Sequence, residues 1–210
     1  MYSAISKYLV SLLQKYNSDL KDEESREIAE YGIEISLSSI VKYVLILLIG
    51  MCVHSVFASI MFLITFNSMR KYIGGYHCKT YFRCNLTFCL IFFLVLFFSK
   101  ISCCYTGVEM LIILLLWCGY GIWFLGPVQN SHKPISIEQK KRCHKIAKFL
   151  YIMISILIIC LNNLSIYYAR IVTFSLVSVV ILLPPGKLLE RREQYDQEGK
   201  NCQSNNCSDC

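Results

Sequence analysis

Charge is scarce in this chain: only 17% of its 210 residues are Asp, Glu, Lys or Arg, against 55% hydrophobic residues, and the mean hydropathy is +0.49. A soluble domain of this length carries more charge than that, so the composition points to an integral membrane protein. There is no HExxH motif to hold a catalytic zinc. The twelve cysteines follow no regular spacing, and several (Cys52, Cys89, Cys103, Cys104, Cys118, Cys160) lie inside apolar runs, which excludes a secreted disulfide framework. Met1 to Asn17 alternates polar and apolar residues without a continuous apolar core, so no cleavable signal peptide is expected. The net charge of +7 would suggest nucleic acid as partner in a soluble protein. Here the positions of the cations track membrane orientation instead, and nucleic acid is not an expected partner.

What the chain does have is a series of apolar runs. Ile5, Tyr8, Leu9, Leu12, Leu13 and Tyr16 fall at helical spacing, which predicts an amphipathic N-terminal helix, either lying on the bilayer or packed on the rest of the protein. Asp22, Glu23 and Glu24 suit the start of the next helix. Six apolar segments follow, over 33–51, 53–69, 86–104, 108–125, 146–161 and 166–183, each near the ~20 residues a bilayer requires. Turns are predicted near Gly50, at Tyr105-Thr106-Gly107 and at Asn162-Asn163, and Pro184-Pro185-Gly186 is expected to stop the last helix. A single span over 44–66 would give five. The expected fold is all-α, a polytopic helical bundle of about six transmembrane helices. Its parts are an interfacial region over 1–30, the membrane domain over 31–187 and a disordered cysteine-containing tail over 188–210.

Six spans account for the cations. Eighteen of the 21 Lys and Arg fall before residue 31, in the 70–83 stretch, in the basic loop ending at Lys148, or from Lys187 onward. The positive-inside rule then places both termini and these loops in the cytosol. Lys42, Lys100 and Arg170 are the exceptions, and Lys42 falls in mid-membrane, where snorkelling, a bundle-facing structural role and a substrate contact are alternatives.

The stretch from Met69 to Cys84 interrupts the apolar pattern with His77, Cys78, Cys84, the Gly74-Gly75 pair and the cations Arg70, Lys71, Lys79 and Arg83. A cysteine nucleophile needs a base and donors for an oxyanion, and His77, Cys84 and the backbone around the glycines contain both. On a straight helix His77 and Cys84 would stand about 10 Å apart along the axis, too far for a hydrogen bond, so a break in the helix is required, and the glycines permit one. Plainer readings exist: an interfacial imidazole, an inert thiol, a glycine helix cap, and cations that serve only topology. Cys207-x-x-Cys210 in the tail resembles half of a zinc site and no more, so neither a metal nor a cofactor is expected.

The combination of Arg70, Gly74-Gly75, His77, six intervening residues and Cys84, with Pro127 and Lys133-Pro134-Ile135 in the later basic loop, resembles the AgrB family of membrane cysteine endopeptidases in Gram-positive quorum-sensing systems. The likeness extends from Met1 to about Lys187. It implies that His77 and Cys84 form the catalytic pair, with Arg70, Gly74, Gly75, Lys79, Arg83, Lys133 and Pro134 binding substrate or supporting the site. It also implies cleavage of an AgrD-like propeptide on its C-terminal side through an acyl thioester, cyclisation to a thiolactone or lactone autoinducing peptide, and a homodimer in the cell membrane. Cys78 beside His77 and the cysteine-bearing tail depart from what the family leads one to expect. A small exporter of a peptide or an anionic substrate is the alternative, although Lys42, Glu109 and Arg170 are few charges for such a path.

Overall fold

In lipid every backbone N–H and C=O must be paired within the protein, and a run of apolar residues satisfies this by forming helix. The computed structural model describes residues 2–14, 22–74, 80–105, 107–126, 137–188 and 191. Among these there is no strand, and seven helices of twelve residues or more follow one another: α1 Tyr2–Leu13, α2 Glu23–Cys52, α3 Val56–Ile73, α4 Tyr81–Tyr105, α5 Val108–Leu125, α6 Ile137–Leu164 and α7 Ile166–Ile181. Of the basic loop expected over 127–148, residues 127–136 lie outside the described residues and 137–148 are the first turns of α6; all of the expected tail except residues 188 and 191 also lies outside them.

Five helical stretches are long and apolar enough to cross a bilayer: Ser25–Cys52, Phe82–Cys103, Val108–Leu125, Glu138–Leu164 and Ile166–Leu188. The protein is therefore a multi-pass membrane protein with an all-helical bundle fold. α3 falls short on composition, because Ser59, Thr65, Asn67, Ser68, Arg70 and Lys71 interrupt it. It nevertheless runs the length of the bundle, with Phe57 against Tyr168 of α7 at one end (ring centroids 4.9 Å apart) and Ile73 beside Gly126 at the other. α3 packs against α2, α6 and α7, so its polar side chains meet protein more than lipid. The sixth expected helix is present, with a sequence suited to the interior of the bundle.

α7 is the central element and packs on α3, α4, α5 and α6, burying Ala169, Ile171, Val172, Leu176, Val179 and Val180. Its hydroxyl residues bond back to the carbonyl one turn earlier, Thr173 to Ala169 at 2.8 Å and Ser175 to Ile171 at 2.6 Å, which lets them sit inside without an open donor. Arg170, 1% exposed, donates from a terminal nitrogen to the Gly107 carbonyl at 2.9 Å and ties the start of α7 to the start of α5. At the opposite end Lys187 donates to the Phe124 carbonyl at 3.3 Å. Arg70, Arg83, the Lys140 to Lys148 series and Lys187 gather at that second end, so the charge asymmetry read from the sequence is reproduced in space.

Several boundaries differ from the sequence reading. The α2–α3 turn is at Val53-His54-Ser55, with His54 at φ 53°, and not at Gly50. Gly50 is inside α2, where a Cβ would collide with the Ser59 hydroxyl, so its missing side chain serves the close approach of α3. Asn162 and Asn163 continue α6, and the break falls at Ser165. Pro184 and Pro185 open a further helical turn over 183–188 after the chain turns at Leu182; in a first turn their missing N–H groups cost nothing. α1 packs on α2 and buries Ser6 and Val10, whereas the apolar residues picked out by periodicity (Ile5, Tyr8, Leu9, Leu12 and Leu13) remain exposed. α1 is thus docked on the protein through one face and carries a second, apolar face outward.

A cluster of four rings locks α3 to α4. Phe62 stands 5.4 Å from Phe66, 5.3 Å from Phe88 and 5.0 Å from Phe92, and Phe66 stands 5.1 Å from Phe88. Phe62→Ala is expected to cost about 3 kcal/mol, the lower end of the range for large core aromatics, read as a lowered midpoint of thermal unfolding in detergent. Gly50→Val should cost about 1–3 kcal/mol by overpacking against Ser59, measured in the same way.

Candidate functional site

The helix break expected at the glycine pair is present at Gly74. α3 ends at Ile73, and Gly74 follows at φ 77° with its N–H bonded to the Arg70 carbonyl at 2.9 Å. That left-handed conformation favours glycine, and it turns the chain out of the helix. Gly74 is therefore a helix cap and at the same time the start of the break. α4 begins again at Tyr81, and the Arg83 N–H points at the Thr80 hydroxyl at 3.4 Å, a long capping contact. No helix joins residues 70 and 90.

Cys84 sits one turn into α4, with its N–H bonded to the Thr80 carbonyl at 3.1 Å, half-buried and free of any disulfide. It opens into a cleft of about 80 Å³ at the cation-rich end of the bundle. α2 contributes Lys42 and Tyr43 to this cleft, and α3 contributes Phe66, Asn67 and Arg70. Thr87, Phe88 and Ile91 follow Cys84 along α4, and Leu182 closes the side nearest α7. Phe66 and Phe88 belong to the ring cluster described above, so the cleft stands on the aromatic contact between α3 and α4. The Arg70 guanidinium lies 5.6 Å from the centroid of the Phe66 ring, a cation–π geometry that holds it at the wall.

Of the residues singled out in the sequence, the structure brings Arg70 and Cys84 together and makes Gly74 the cap that ends α3. Arg83 is exposed and is not part of the cleft wall. Gly75, His77, Cys78, Lys79, Lys133 and Pro134 lie outside the described residues. Among the described residues no three His, Cys, Asp or Glu side chains gather into a metal-binding group.

Lys42, Tyr43, Asn67 and Thr87 were not part of the expected site. Lys42 had a signal in the sequence, being the one Asp, Glu, Lys or Arg between Glu34 and Arg70. Periodicity cannot say which helix a mid-span lysine faces, and only the packing of α2 against α3 and α4 puts it beside Cys84.

No solved structure matches this chain. Its sequence is 30% identical over 173 residues to AgrB-like protein 2 of Clostridium perfringens strain 13, covering 77% of this chain and 78% of that protein. It is also 30% identical over 176 residues to an AgrB-like protein of Clostridium perfringens strain SM101, covering 80% of each chain, and 30% identical over 101 residues to an AgrB-like protein of Clostridium beijerinckii, about half of each. The family model for accessory gene regulator B matches residues 6–183, a range that takes in α3, the break after it, Cys84 and the whole bundle through α7. The chain belongs to the AgrB family, and with it to the agr quorum-sensing system.

Proposed function

We propose that this protein is the membrane cysteine endopeptidase that processes an AgrD-like propeptide, with His77 as base and Cys84 as nucleophile. The observation that carries the reading is the placing of Cys84: it opens into a cleft with cations and apolar walls, directly after a glycine-capped helix break. The covalent chain tethers His77 three residues from Gly74 on one side and three from Thr80 on the other.

The reaction follows from these groups. The His77 imidazole takes the proton from the Cys84 thiol, and the thiolate attacks a backbone carbonyl of the bound propeptide. The tetrahedral oxyanion collapses, the C–N bond breaks, and the amine of the C-terminal fragment leaves with the proton from the imidazolium. The acyl thioester retains enough activation for a cysteine or serine side chain of the same peptide to attack it. That step closes a thiolactone or lactone ring and returns the Cys84 thiol. Water would hydrolyse the thioester to a linear product; Phe66, Phe88, Ile91 and Leu182 make the cleft wall apolar and favour cyclisation.

By the positive-inside rule the cation-rich end faces the cytosol, and with it the cleft and both chain ends. Its field attracts an acidic segment of the propeptide. An exporter would instead need intramembrane charges along a path, and Arg170 is buried and bonded to Gly107. A homodimer belongs to the same reading and is tested by cross-linking in native membranes.

In membranes mixed with the cognate propeptide and analysed by mass spectrometry, Cys84→Ala should abolish cleavage with insertion unchanged. His77→Ala should lower it by about 10²–10⁴-fold, the usual worth of a general base. Cys84→Ser should be severely slowed, because a hydroxyl ionises far less readily than a thiol. Cleavage retained in Cys84→Ala and lost in Cys78→Ala would transfer the nucleophile to Cys78.

A further inference from the structure

Lys42 stands about 15 Å of helix from the end of α2 at Cys52, roughly half the depth of a ~30 Å hydrocarbon layer. Among the described residues it has no ion-pair or hydrogen-bond partner. The cleft it lines contains a second cation, Arg70, and no Asp or Glu. A lysine ammonium at an apolar site without a carboxylate beside it is costly. The titratable or charged groups of the wall are Lys42 and Tyr43 from α2, Arg70 from α3 and Cys84 from α4; the segment after α7 adds only Leu182. Of these, Cys84 is the one whose reaction passes through an anion.

We infer that Lys42 is a positioning residue of the site, an ammonium set in the cleft to stabilise the Cys84 thiolate. The inference rests on the peptidase reading of Cys84 and adds a group to it. The S–H bond of Cys84 breaks and its proton goes to the base. Lys42 forms no covalent bond and provides the positive charge that the thiolate faces. Arg70, held over the Phe66 ring, adds to the same field from the other wall. The arrangement also gives the lysine a reason to remain charged inside the membrane, because the anion it needs is generated beside it.

The test is the rate at which iodoacetamide, a neutral reagent, alkylates Cys84 in the full-length protein in nanodiscs, with the Cys84 peptide resolved from the other cysteines by mass spectrometry. Lys42→Met should slow alkylation about tenfold near pH 7.5 and leave it unchanged near pH 10, where the thiol ionises without help. Lys42→Arg should keep most of the rate at both. An unchanged rate at pH 7.5 overturns the inference. So does an equal loss at both pH values, which marks a packing defect that closes the cleft. Should Lys42→Met fail to insert, Lys42→Gln is read against Lys42→Arg by the same criteria. Propeptide cleavage is followed on the same preparations, and the two ideas fail separately. Lys42-dependent alkylation alongside cleavage that survives Cys84→Ala upholds the anion site and sinks the peptidase reading.

Discussion

Hydrocarbon offers no partner to an unpaired backbone amide, and that constraint shapes the whole molecule. It makes each apolar run a helix and, among the described residues, drives the breaks to one end of the bundle or the other: Val53-His54-Ser55, Gly107 and Ser165 at one, Gly74, Thr80 and the end of α7 at the other. Chemistry that needs an irregular backbone therefore has to occur at an end. The end into which the Cys84 cleft opens is the one that also gathers the cations.

The cleft at that end depends on packing that holds α3 and α4 in fixed relation. The ring cluster around Phe62 does this, and α7 backs it from the other side with a helix that is buried over most of its length. Arg170 and Lys187 each reach a carbonyl at an end of α5, so the central helix is anchored top and bottom. Cys84, one turn into α4, stands on this packing, and Gly74 ends α3 on the facing side.

How legible this was in the sequence varies with the kind of interaction. Apolar runs and cation placement were enough for the helical class and for the two ends of the bundle, because burial in lipid acts on composition within a single segment. Turn positions were harder. Gly50 looked like punctuation and is a contact with Ser59; Asn162 and Asn163 looked like a break and are helical; Pro184 and Pro185 looked like a stop and begin a new turn. In each case a residue with two uses was read by its commoner one, and the neighbouring helix decided otherwise.

Local composition and covalent spacing alone fix the membrane class, the order of the helices and the family motif around His77 and Cys84. Tertiary structure alone decided that Lys42 and Arg70 share one cleft with Cys84, that Arg83 stays outside it, and that the weakly apolar α3 runs inside the bundle. Those outcomes depend on how helices distant in sequence rotate and lean against one another. That rotation is set by side-chain packing across the bundle, which no pattern within one segment encodes.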